Sequence, residues 1–71
     1  MRTFEFSEGT SNKFWEVWTE GSDLYTRYGR IGSEGQKTLK KFPSEDAAKV
    51  AANKLIREKT GKGYQEVTGG E

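Results

Sequence analysis

Tyr28, Arg30 and Lys40, with Trp18 on a neighbouring strand and Asn12 at the edge, are the side chains whose types could work together. A ring stacks on a base or a sugar, and a guanidinium or ammonium neutralises phosphate, so rings mixed with cations on one surface suit nucleic acid. The competing reading is that Phe14 and Trp18 form a second small core with Phe4, Phe6 or the C-terminal tail. Other chemistries find few residues. The chain has no Cys and no His, so disulfides, thiol nucleophiles, the usual zinc and copper sites and the commonest general base near neutral pH are excluded. Glu5, Glu16 and Glu20 sit at separate strand positions, with nothing to pair them as acid and base. Gly29, Gly32 and Gly35 recur every third residue without making a dinucleotide or phosphate loop, and read as a hairpin turn. Lys40 and Lys41 are either a phosphate site or a solvated strand end. No catalytic residue, metal or cofactor is expected.

Those residues must be carried by one small domain, since 71 residues suffice for one core and not two. Leu, Ile, Val and Phe together fill 12 positions, a low share that two Trp and three Tyr offset. A folded domain stable by a few kcal/mol is expected. No apolar run approaches the roughly 20 residues of a membrane span, and no signal peptide is read at the start, so a reducing cytoplasm is the expected location. The net charge of +1 hides an asymmetry: −3 over residues 1–26, +6 over 27–62 and −2 over 63–71. The basic excess could form a patch or lie on a solvated surface of mixed charge.

Alternating residues predict strands over 2–8, 13–19, Leu24 to Ile31 and Gln36 to Phe42. Turns of three to five residues leave no room for parallel crossovers, so the sheet is antiparallel. The period then changes. Ser44 is placed to cap a helix whose first turn carries Glu45 and Asp46, where the helix dipole favours acids. The helix should reach Lys59 or Thr60 and stop with Gly61 as its C′ residue. Ala48, Ala51, Ala52, Leu55 and Ile56 form its apolar stripe. Tyr64–Val67 should be a short extended tail packed by Tyr64, and Thr68 to Glu71 should fray. The fold class is therefore α+β: a twisted antiparallel sheet of four or five strands with one helix packed on one face, ordered over about residues 2–67. A lone helix leaves the other face free. The most economical assignment buries Trp15, Val17, Tyr25, Ile31 and Leu39 beneath the helix. It leaves Trp18, Tyr28, Arg30 and Lys40 on the open face; Leu24 fits this badly unless a bulge or strand end lies there.

The stretch Thr26 to Gly32, T-R-Y-G-R-I-G, resembles the signature of the WGR domain family, named for Trp-Gly-Arg. Asn12-Lys13-Phe14-Trp15-Glu16-Val17 is similar to that family's opening strand. Phe42-Pro43-Ser44 with Glu45-Asp46-Ala47 resembles its helix start, and Glu58-Lys59-Thr60-Gly61 followed by Tyr64 resembles its helix end. The ordered set spans Asn12 to Val67. It implies a sheet with one packed helix and a non-catalytic, nucleic-acid-binding role. WGR domains hold broken DNA ends in poly(ADP-ribose) polymerases, and occur in small bacterial proteins. The stacking role of the motif Trp falls on Tyr28 and the ligand-binding role of the motif Arg on Arg30, with Asn12 and Lys59 as further transfers. Tyr28 departs from the motif, offering a smaller ring and a hydroxyl on which stacking survives more weakly. Gly29 either lets backbone approach a partner or accommodates a large neighbour across the sheet; Gly32 and Gly61 are read as structural. The implied partner is nucleic acid, DNA favoured, at ends or nicks. The alternative is a protein-interaction adaptor using Phe14, Trp18 and Tyr28. A monomer is expected.

Overall fold

Tight turns dictate how the chain doubles back. β1 (Arg2–Glu8), β2 (Ser11–Glu20), β3 (Asp23–Arg30) and β4 (Gln36–Lys41) follow one another with connections of two to five residues, which join antiparallel neighbours and cannot span a parallel crossover. The computed structural model describes residues 1–67. After α1 (Glu45–Gly61) the chain returns as β5 (Gln65–Glu66) beside β1, with Phe4 opposite Glu66 and Glu5 opposite Gln65. The sheet has five antiparallel strands in the order β4-β3-β2-β1-β5, so the expected extended tail is the fifth strand. The Val67 N–H extends that pairing by donating to the Thr3 carbonyl at 2.8 Å. The fraying expected of Thr68 to Glu71 lies outside the described residues.

Register decides which face each side chain occupies, because directly opposed residues point the same way. Trp15 lies opposite Tyr28 and Val17 opposite Thr26, while Phe4 lies opposite Trp15. Leu24, Thr26, Tyr28 and Arg30 therefore share the face of Trp15 and Val17. This reverses the face expected for β3. Phe4, Trp15, Val17 and Leu24 form the buried core, covered by Ala51, Ala52, Leu55 and Ile56 of α1 and flanked by Phe42 and Tyr64. Leu24 is a core residue in full, 3% exposed, whereas Ile31 and Leu39, both expected beneath the helix, are 40% and 49% exposed. Tyr25 instead joins Trp18 on the far face, the rings stacked at 5.3 Å and 6°.

The helix begins as its sequence requires. Ser44 is extended and its hydroxyl accepts the Ala47 N–H at 3.1 Å, with Glu45 and Asp46 in the first turn. Its C′ position falls two residues later than expected, at Gly63 instead of Gly61. Gly61 is the last helical residue and Lys62 the C-cap, and Gly63, at φ +109°, takes the left-handed position. The Tyr64 N–H donates to the Lys59 carbonyl at 3.1 Å and the Gly63 N–H to the Thr60 carbonyl at 3.2 Å. This is the Schellman pairing, which brings the second residue beyond the cap back onto the last turn. Tyr64 thereby folds against Lys59 and against Phe6, its ring 5.4 Å from the latter. Among the described residues no helix is long and apolar enough to cross a membrane.

Candidate functional site

Beyond the stretch of sheet that α1 covers, the same face continues into a crevice. The start of β2, the end of β3 and the last turn of α1 enclose about 520 Å³, lined by Asn12, Lys13, Phe14, Tyr28, Gly29, Arg30, Lys59 and Tyr64 together with Thr10 and Ser11. The hairpin register brings Lys13 opposite Arg30, and the Ile31 N–H bonded to the Asn12 carbonyl at 3.0 Å closes the two strand ends together. Four of the residues read from the sequence (Asn12, Tyr28, Arg30 and Lys59) thus meet in one place. Tyr28 and Arg30 lie on the helix side of the sheet rather than on the open face, yet both remain exposed, Tyr28 by 42%.

Lys13 and Tyr64 also line the crevice, beyond the site residues that the sequence points to. Lys13 becomes legible once the β2–β3 register is set. Tyr64 becomes legible once Gly63 is recognised as the residue that turns the chain back.

The electrostatics of the crevice are one-sided. Among the described residues the ion pairs are Arg2–Glu66, Arg27–Glu16 and Lys49–Glu45, and none of them engages Lys13, Arg30 or Lys59. The Lys59 ammonium lies 5.7 Å from the Trp15 ring centre and 5.2 Å from that of Tyr64, a contact with the negative faces of the rings. Burial lowers the Lys59 pKa below the ordinary lysine value; the nearby Lys62 and Lys13 charges lower it further, and Glu58 opposes them. Three cations without an ion pair among the described residues, bordered by two tyrosine rings, can take an anion next to a flat group. The hydroxyl of Tyr28, one of the lining residues, donates to Gln36 Oε1 at 3.2 Å. Among the described residues no three His, Cys, Asp or Glu side chains converge to hold a metal ion.

Trp18 and Lys40 stand apart from this group. Trp18 is on the opposite face, its indole N–H donating to Glu20 Oε2 at 3.1 Å and the Lys37 ammonium 5.5 Å from its ring centre. Lys40 is opposite Leu24, at the other end of the strand pair, with its ammonium 5.8 Å from the Phe42 ring centre. Gly29 serves the fold on the far face. A Cβ there would lie 2.8 Å from the Gly35 Cα and 3.2 Å from Ser33 Oγ, so the neighbour that needs the space is the folded-back turn, with Phe14 opposite. Gly32 sits in that turn at φ +96°, just after Arg30, whose carbonyl accepts both the Ser33 N–H at 3.0 Å and the Ser33 hydroxyl at 2.7 Å.

Comparison with known proteins agrees with this architecture. The chain is 42% identical over 65 residues to the uncharacterized protein YfeS of Escherichia coli (strain K12), a match over 92% of this chain and 27% of that protein. It is 41% identical over 66 residues to the protein YehF of the same organism, covering 93% of this chain and 24% of that one. A crystal structure of a Bacteroides fragilis protein superposes with a TM-score of 0.91 at 45% identity, over 93% of this chain and 19% of that chain. The chain thus spans about a quarter of the length of the curated relatives it matches. The family model described as the WGR domain matches residues 1–71, and the chain belongs to the WGR domain family.

Proposed function

We propose that this chain is a non-catalytic nucleic-acid-binding module whose ligand enters the Tyr28–Arg30–Lys59 crevice. The observation that carries this reading is the convergence of Lys13, Arg30 and Lys59, free of ion pairs among the described residues, beside the Tyr28 and Tyr64 rings. Phosphate supplies the missing anion, and the flat face of a base, or the apolar side of a terminal sugar, packs on the Tyr28 ring. Asn12 supports the backbone at the rim. WGR family membership favours DNA, at an end or nick.

Fluorescence anisotropy with a 5′-phosphorylated nicked duplex at two salt concentrations tests it. Each phosphate contact contributes a slope of about 0.9 in log affinity against log salt. Arg30→Ala should therefore flatten the slope by about one contact's worth. Absence of binding at low salt, or an unchanged slope in Arg30→Ala, refutes the reading.

A second reading rests on a separate surface. Trp18 and Tyr25 stack on the far face beside Leu39, which is 49% exposed, and exposed apolar clusters mark interfaces. An adaptor using this patch should self-associate or bind a partner in a salt-resistant manner on gel filtration. Monomeric elution unaffected by salt would count against it.

A further inference from the structure

We infer that the crevice reads the sugar of its ligand as well as the phosphate: the Tyr28–Gln36 pair selects a strand end whose terminal sugar carries a 2′-hydroxyl. This inference rests on the nucleic-acid reading above and gives it a substrate class. Tyr28 and Gln36 are directly opposed on β3 and β4, so their side chains share one face of the sheet; Tyr28 lines the crevice, and Gln36 adjoins it through the Tyr28 hydroxyl. The Tyr28 hydroxyl gives its single proton to Gln36 Oε1 at 3.2 Å. What Tyr28 Oη then offers a ligand is acceptor capacity, while the Gln36 amide nitrogen keeps two N–H donors. An acceptor beside a donor matches a hydroxyl group, which donates and accepts at once. A deoxy sugar presents C–H at that position and satisfies neither. The ring of Tyr28 lines the crevice, so a sugar packed on it brings its edge to the phenol oxygen. The 2′-hydroxyl is the group by which proteins distinguish ribose from deoxyribose strands at a given site.

Both side chains are solvent-facing, which limits the effect. One added hydrogen bond in such a setting corresponds to roughly a two- to tenfold difference in affinity. The experiment compares two duplexes of identical sequence, each 5′-phosphorylated and alike except that the terminal nucleotide is a ribonucleotide in one and a deoxyribonucleotide in the other. Anisotropy at one fixed salt concentration should show the ribonucleotide end bound roughly two- to tenfold tighter. A 2′-O-methyl terminus, which accepts but cannot donate, should lose most of that preference. In Tyr28→Phe, which keeps the ring and drops the hydroxyl, the ratio should fall to about one, and Gln36→Leu should lower it too. Equal affinity for the two ends in the unmodified protein overturns the inference and leaves the nucleic-acid reading standing. A preference that persists in Tyr28→Phe overturns it as well. Binding to neither duplex overturns both.

Discussion

Two glycines lie two residues apart at the end of α1, and replacing each with alanine should shift stability in opposite directions. Gly61 is helical, and an added Cβ meets nothing within 4 Å. In a helix alanine is favoured over glycine by about 0.5–1 kcal/mol, through the smaller backbone entropy lost on folding. A position in the last turn should realise the lower part of that range. For a domain of this size 1 kcal/mol moves the melting temperature by roughly 4–8 °C, so Gly61→Ala should raise it by about 2–4 °C. Gly63 is the contrary case. Its φ of +109° suits glycine, and a Cβ there would stand 3.0 Å from Phe6 Cε2 and 3.3 Å from Phe6 Cδ2. Backbone strain of this kind costs about 1–3 kcal/mol, and the Phe6 ring must move as well. Urea unfolding followed by the fluorescence of Trp15, which is 3% exposed, measures both variants, with thermal melts as a second readout. A loss of stability in Gly61→Ala would mean that Gly61 carries the left-handed turn, and the account of the helix end given above would fall. Unchanged stability in Gly63→Ala would refute it equally.

Other perturbations follow from single contacts. Gly29→Ala should cost about 1–3 kcal/mol by overpacking, since the new methyl meets the Gly35 backbone rather than a yielding side chain; a change below about 0.5 kcal/mol in urea unfolding would show that the turn moves freely. Lys59 holds its charge less readily folded than unfolded, so the unfolded chain binds more protons between its lowered pKa and the ordinary lysine value, and stability should rise with pH across that window. Lys59→Met should flatten the rise in urea midpoints measured from pH 8 upward, and parallel curves for the two proteins would contradict the assigned cause.

The helix and the antiparallel run of strands were legible in the sequence, and the face that β3 turns to the helix was not. Ser44, Glu45 and Asp46 announce a helix start through capping and dipole chemistry that needs no tertiary context. The Ala51, Ala52, Leu55 and Ile56 stripe announces its buried side. β3 carries apolar residues on both alternations, Leu24 on one and Tyr25 and Ile31 on the other, so its own pattern cannot choose a face. The turn length chooses. With Glu20 opposite Asp23, the connection is Gly21-Ser22, and taking Asp23 into the turn shifts the pairing by one residue. Such a shift sends every side chain of the strand to the other face. The end of α1 posed the same kind of ambiguity: Gly61 and Gly63 are equally good stops by composition, and the packing of Tyr64 on Lys59 and Phe6 decides between them.

That same turn ties stability to the site. Asn12, Lys13, Tyr28 and Arg30 are brought together by the β2–β3 pairing alone, but Lys59 and Tyr64 reach the crevice through the Gly63 turn, whose two hydrogen bonds end on Thr60 and Lys59. An alanine at Gly63 displaces Phe6, and with it the Tyr64 ring that borders the Lys59 ammonium. An alanine at Gly61 touches none of these groups. If Lys59 contacts phosphate, Gly63→Ala should lose affinity under conditions where it is still fully folded, and Gly61→Ala should bind as the unmodified chain does. Affinity that follows stability alone, equal in both variants once folding is complete, would place the ligand against the strand ends and leave the helix terminus a purely structural device.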